Sequence, residues 1–172
     1  MSDQIILVNE DDQEIGTGEK MDVHRKGLLH RAFSVFVLNN NRELLLQRRA
    51  FHKYHSGGLW TNTCCSHPKP GVETELFIHK RIEEEMGFDC DIEYLFSFLY
   101  KKEFSNSLIE HELDYVYKGY YRNDPVPSPD EVAEWKWMDL DLIREDLKRN
   151  PEIYTFWFIS AFNKFYSSLN SK

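Results

Sequence analysis

Three histidines and two glutamates are the residues of this sequence best suited to building a metal centre. His24 and His30 precede the first long apolar strand pattern, and His67 follows a pair of thiols in Trp60-Thr61-Asn62-Thr63-Cys64-Cys65-Ser66-His67-Pro68. Glu110 and Glu112 stand two apart in Ile109-Glu110-His111-Glu112-Leu113, so on a strand they project from one face. Like charges held side by side repel, a cost that a bound divalent cation would remove. A mixed set of imidazole nitrogen and carboxylate oxygen suits zinc, manganese or iron better than calcium. Surface histidines and a solvated glutamate face would leave the same pattern, because positions so far apart in the chain converge only through folding.

A second constellation lies in Lys80-Arg81-Ile82-Glu83-Glu84-Glu85-Met86-Gly87-Phe88, where Arg81 and Glu85 are four apart and share a helix face. Ion pairs at that spacing contribute only tenths of a kcal/mol. Three consecutive glutamates near a helix C-terminus oppose the macrodipole, however, and are better explained if one of them faces a cation. The run Gln47-Arg48-Arg49-Ala50-Phe51-His52-Lys53 reads either as a solvated basic turn or as a diphosphate grip. In the second reading arginine supplies two-pronged donors and lysine a mobile point charge.

The elements that must position these groups follow from periodicity. Ile5 to Val8 reads as a short strand, and Phe33 to Leu38 with Leu44 to Gln47 as a hairpin around Asn39-Asn40-Asn41. Ile78, Ile82 and Met86 recur every four residues, which predicts a helix over 74–86, capped by Thr74 and stopped by Gly87. Strands are expected at 92–101, 112–121 and 135–138, with a proline-rich loop at 123–130. Helices are expected at 139–148 and 153–169, the latter just after Pro151. Residues 9–32 are polar enough to form a flap that covers part of a site.

Composition narrows the function classes. A chain of 172 residues, 41% of them hydrophobic, supports one domain over 1–172 with one sizeable core. The 15% of aromatic residues can line a pocket as readily as fill that core. The net charge of −8 and the lack of a long basic run argue against nucleic acid and anionic membrane partners. Three cysteines, two of them neighbours, make no disulfide framework and fit reduced thiols in the cytoplasm. The acidic start MSDQIILVNEDDQE is unlike a signal peptide, and no apolar run approaches the roughly 20 residues that span a bilayer.

Three segments in order, Gly27-Leu28-Leu29-His30-Arg31-Ala32-Phe33-Ser34, the Trp60 to Pro68 block and Glu110-His111-Glu112, resemble the type I isopentenyl-diphosphate isomerases from about Ile5 to about Phe165. The TNTCCSHP block with its upstream histidines makes the likeness specific, whereas Glu-x-Glu alone would carry almost nothing. The resemblance implies an α+β, Nudix-like αβα sandwich with a mixed sheet and a central helix carrying a degenerate Nudix box. That box, REUxEExGU, falls on Lys80 to Phe88. It keeps Glu84, Glu85 and Gly87 but opens with Lys80-Arg81, and further upstream its first Gly falls on Ser66 and its first Glu on Val72. Loss of part of a carboxylate cluster argues against diphosphate hydrolysis and for a fold reused in other chemistry.

By the same resemblance the chain interconverts isopentenyl diphosphate and dimethylallyl diphosphate. Glu112, assisted by Tyr100, handles the proton at the alkene terminus, and Cys65 the one nearer the diphosphate. His24, His30, His67, Glu110 and Glu112 hold Mn²⁺ or Zn²⁺, while Glu85 meets a Mg²⁺ that accompanies the diphosphate. Lys20, Arg49, Lys53, Arg81 and Ser66 grip the diphosphate, and Trp157 covers the hydrocarbon end. The chain departs from the family's habit at Gly57-Gly58, where Pro-Gly is frequent, at Phe156 before Trp157, and in the spacing between His24 and His30. A Nudix-type diphosphate hydrolase and a non-catalytic metal-binding module are the competing readings.

Overall fold

The computed structural model describes residues 3 to 170. Its strands are β1 (Gln4–Val8), β2 (Glu14–Glu19), β3 (His30–Leu38), β4 (Glu43–Arg49), β5 (Trp60–Thr61), β6 (Cys64–Ser66), β7 (Ile92–Glu103), β8 (Ile109–Tyr120) and β9 (Val132–Asp139). The helices are α1 (Lys20–Lys26), α2 (Thr74–Met86), α3 (Leu140–Arg149) and α4 (Phe156–Asn170). All nine described strands join one mixed sheet organised around β3, which runs parallel to β8 from His30 beside Glu112 to Leu38 beside Tyr120. β3 is antiparallel to β1, β4 and β6, and β4 carries β5 and β9.

The period of two along β3 builds the layers. Phe33, Val35 and Val37 pack with Ile78, Ile82 and Met86 of α2, while Phe36 and Leu38 pack with Phe158, Phe162 and Phe165 of α4. β4 divides in the same way, with Leu45 on the α2 side and Leu44 and Leu46 on the α4 side. Each large side chain taken out of water contributes about 1.5–3 kcal/mol, and offset rings such as Phe36 on Phe165, 4.4 Å apart, add to that. The result is the α+β sandwich that the sequence resemblance implies, a mixed sheet between helices. Among the described residues no helix is long and apolar enough to cross a membrane.

The same alternation separates the neighbouring thiols. β6 lies against β3 with Cys64 opposite Val35 and Cys65 opposite Ser34. Cys64 therefore joins the fully buried α2-side core, and Cys65 faces the other side.

α2 buries the stripe expected of it, Ile78, Ile82 and Met86, together with Glu85. Its N-cap is Glu73 rather than Thr74: the Glu73 carboxylate accepts from the backbone N–H groups of Glu75 and Leu76, and Thr74 is already inside the helix. Glutamate is an uncommon cap, but its longer side chain folds back to do what serine or threonine does. Gly87 ends the helix at φ +73°, and a Cβ there would stand 2.2 Å from the Val126 carbonyl oxygen, so both the turn and the packing require glycine.

Elsewhere the structure extends or shifts the expected elements. β8 begins at Ile109, which brings Glu110 into the strand, and β9 starts three residues before Trp135, at Val132. Pro151 opens a short 3-10 turn, Pro151–Ile153, and α4 starts only at Phe156. The intervening Tyr154 bridges to Trp60, which pins the start of α4 to the sheet. Within the polar stretch 9–32 lie β2 and α1, the latter capped by Glu19 and closed by Gly27 at φ +63°.

Candidate active site

Four imidazole and carboxylate groups converge where β3, β8, α1 and the end of β6 meet. The β3–β8 register sets His30 directly beside Glu112, α1 delivers His24, and His67 follows β6. One ligand atom from each of His24, His30, His67 and Glu112 lies within 4.8 Å of the other three, and all four residues are largely buried. The His67 Nε2 stands 3.1 Å and the His30 Nε2 3.4 Å from the Glu112 Oε1.

The hydrogen bonds on the far side of the rings decide what these atoms offer. His24 Nδ1 is 2.7 Å from the Lys20 carbonyl oxygen and His30 Nδ1 2.8 Å from that of Leu28. A carbonyl only accepts, so both rings donate through Nδ1–H and turn an Nε2 lone pair inward. Neither Nε2 has a partner, although both are buried. A lone pair facing a carboxylate oxygen at such range calls for a cation between them. A metal ion with nitrogen and oxygen ligands fits this donor set, and burial keeps the rings in the unprotonated form that ligates: His24 is held below its ordinary value and His67 down to about 3.

Glu110 stands apart from this group of four. Its Oε2 accepts from the Tyr100 hydroxyl at 3.2 Å, and its Oε1 lies 3.2 Å from His55 Nε2. The same Tyr100 hydroxyl donates to the Glu112 Oε2 at 2.6 Å, so one phenol bridges two carboxylates. Burial, then the charge of Glu112, pushes Glu110 well above the ordinary range, and burial beside both glutamates keeps the Tyr100 proton in place.

These residues open on a cavity of about 400 Å³ whose wall carries Cys65, Ser66, His67, Glu85, Glu110, Glu112, Tyr100 and Trp157 together with Lys20, Arg49, Lys53 and Arg81. Cys64 is not part of that wall. Burial pushes the Cys65 thiol up, with the Arg49 cation as the first opposing influence. The Arg49 guanidinium lies 5.2 Å from the centre of the Trp157 ring, and both the Arg49 Nε and the Trp157 Nε1 are buried without partners. The other cations are already paired: Lys20 with Asp3, Lys53 with Glu131, and Arg81 with Glu84, Glu85 and Glu131. Glu85 is buried between Arg81 and the Gln47 amide, and its contact with Arg81 is the ion pair that their spacing on the helix predicts.

The residues named from the sequence as catalytic, metal-ligating or diphosphate-binding all line this cavity except His24 and His30, which join it through the four-residue cluster with His67 and Glu112. Sequence reasoning passed over His55, Tyr54 and Glu131, which also line it. Only the residue type of His55 could have pointed to it, because it sits in the loop after β4 and meets Glu110 through contacts remote in the chain.

The NUDIX domain family matches residues 28–158. Isopentenyl-diphosphate Delta-isomerase 2 of Aromatoleum aromaticum is 48% identical over 99% of this chain and 91% of its own length, and isopentenyl-diphosphate Delta-isomerase 1 of the same organism is 51% identical over 91% and 89%. Among solved structures, a Deinococcus radiodurans protein superposes with a TM-score of 0.80 at 17% identity, over 94% of this chain and 98% of that one, a likeness of fold alone. By its NUDIX domain, and by its identity to these relatives over nearly their whole length, the chain belongs to the isopentenyl-diphosphate Delta-isomerase family.

Proposed function

We propose that the protein interconverts isopentenyl diphosphate and dimethylallyl diphosphate by adding a proton at one carbon and removing one at another. The observation that carries this reading is a thiol and a phenol-bridged carboxylate pair on the wall of one cavity, Cys65 on β6 and Glu112 with Tyr100 on β8 and β7. An unactivated alkene is a very weak base, so its protonation needs an acid held away from water. The Tyr100–Glu112 pair delivers the proton to the terminal alkene carbon, leaving positive charge on the tertiary carbon. The ring faces of Tyr100 and Trp157 stabilise that charge. Cys65, as thiolate, then takes a proton from the carbon nearer the diphosphate, and the double bond reforms there. In the reverse direction the neutral thiol is the donor.

His24, His30, His67 and Glu112, with Glu110 as a fifth ligand, hold a divalent ion of the Mn²⁺ or Zn²⁺ kind. When bound, that ion withdraws electron density from Glu112 and strengthens it as an acid. Lys20, Arg49, Lys53, Arg81 and Ser66 grip the diphosphate, and the unpartnered Arg49 Nε supports that assignment. Glu85 is where a Mg²⁺ accompanying the diphosphate would be held, in place of part of its present pairing with Arg81. A cytoplasmic location belongs to the same reading and is supported by three cysteines that form no disulfide.

Proton NMR of isopentenyl diphosphate incubated with the purified protein and Mg²⁺ is the direct test. The terminal =CH₂ signals are expected to give way to those of a second methyl group and one vinylic proton. Unchanged substrate, or cleavage to phosphate products, would overturn the reading, and cleavage would favour a hydrolase. The metal site has its own expected result. Elemental analysis should find about one tightly held transition metal per chain, strong chelators should abolish turnover, and His67→Ala should lose the metal. Full metal content in a chain lacking His67, Glu110 and Glu112 together would refute the site.

A further inference from the structure

His55 is 8% exposed and sits in the loop between β4 and β5, where Gly58 turns the backbone through φ +77°. Its ring stacks on Phe104 at 5.3 Å and meets Tyr54 and Trp157 edge-on at 4.4 and 5.8 Å. A phenylalanine could make all three contacts. It could not reproduce the two polar edges, Nδ1 at 3.3 Å from the Ser56 hydroxyl and Nε2 at 3.2 Å from the Glu110 Oε1. The Ser56 hydroxyl can donate to Nδ1, which leaves the Nε2–H to donate to Glu110.

Glu110 is consequently held at both oxygens, by His55 on Oε1 and by Tyr100 on Oε2, and the same Tyr100 hydroxyl ties it to Glu112 of the four-atom cluster. We propose that His55 is a positioning residue: its Nε2–H fixes the Glu110 carboxylate beside Glu112, so that Glu110 is available to the bound ion as a ready-oriented fifth ligand. This rests on the metal site of the proposed reading, and on that part only. A ligating carboxylate that is itself hydrogen-bonded is pre-oriented, and loss of such an outer partner typically costs about 10–100-fold in metal affinity or activity.

The test is a titration of metal-stripped protein with Mn²⁺ alone, followed by calorimetry, with turnover measured separately. His55→Phe keeps the ring contacts and is expected to weaken Mn²⁺ binding about tenfold and to lower kcat by a similar factor, with KM nearly unchanged. His55→Gln can place an amide N–H near the Nε2 position and should recover affinity to within about threefold, whereas the shorter His55→Asn should not. The Asn and Gln variants differ by one methylene, so they keep the comparison alive if the Phe variant fails to fold. In a Glu110→Gln background, His55→Phe should change affinity by less than about twofold, because the group it orients is already altered. Mn²⁺ affinity unaltered by His55→Phe, a Gln variant as impaired as the Asn one, or an undiminished His55 effect in the Glu110→Gln background would each overturn the proposal. Failure of the wild-type protein to isomerise would sink the activity and leave this measurement standing.

Discussion

Cys65→Ser is expected to lower kcat for isomerisation by about a thousandfold while leaving the fold and the metal content intact. A positioned acid–base group contributes roughly 10²–10⁴ in rate, and a serine hydroxyl is far too weak an acid to reach the anionic form that must accept a proton from carbon. Burial already pushes the Cys65 thiol up, so the group works near the limit of what a thiol can do, and an alcohol lies well beyond it. The fold should survive because Cys65 is only partly buried and sits at the cavity wall, where a smaller polar atom has room. Its neighbour supplies the control. Cys64 faces the α2 side with Val35, fully buried and away from the cavity, so Cys64→Ser should cost stability of about 1 kcal/mol and leave turnover within about threefold. The decisive measurement is steady-state kinetics on both variants, with thermal melting to verify folding. An essential Cys64 beside a dispensable Cys65 would mean that the wrong thiol has been assigned.

The two thiols also illustrate how far the sequence carries. That one faces the site and the other the core follows from the period of two along a strand, and it is legible once 64–66 is known to be a strand. Which of the two faces the site is not, because that depends on Cys65 lying opposite Ser34, a pairing between segments thirty residues apart. α2 was legible from Ile78, Ile82 and Met86, since its stripe is local, and so was the Arg81–Glu85 ion pair at helical spacing, whereas the burial of Glu85 was not. Glu110 and Glu112 share a face as their spacing requires, yet their partners differ. Glu112 meets the imidazoles through the parallel β3–β8 register, whereas Glu110 meets His55 and Tyr100. No local pattern encodes a parallel register, because the strands that form it are joined by a long crossover. The helix that delivers His24 was hidden for a different reason: α1 is seven residues long and carries no apolar stripe to reveal it.

Glu112→Gln is expected to suppress turnover at least about a thousandfold and, in heavy water, to suppress the incorporation of deuterium by the same factor. In the wild-type protein the deuterium should appear in the methyl group formed from the terminal alkene carbon. The Tyr100 hydroxyl donates to the Glu112 Oε2 at 2.6 Å and touches Glu110 at 3.2 Å, which makes a chain of exchangeable protons at the cavity wall. Any proton delivered from that chain has equilibrated with solvent, and so heavy water must mark the carbon that receives it. An amide at position 112 breaks the chain twice. It cannot carry the proton, and it places a neutral oxygen or an N–H before the His30 and His67 nitrogens, which now face a carboxylate at 3.4 and 3.1 Å. Metal content should therefore fall together with activity, which separates this variant from a Tyr100→Phe control. Tyr100→Phe removes no ligand, so it should weaken metal binding only by the roughly tenfold that loss of an outer hydrogen-bond partner of Glu110 and Glu112 costs, and should lose about a hundredfold in kcat. Deuterium in the product is read by NMR at the two methyl positions. Product formed at the full rate without solvent deuterium, or undiminished turnover by the Glu112→Gln protein, would show that the proton does not come from this pair.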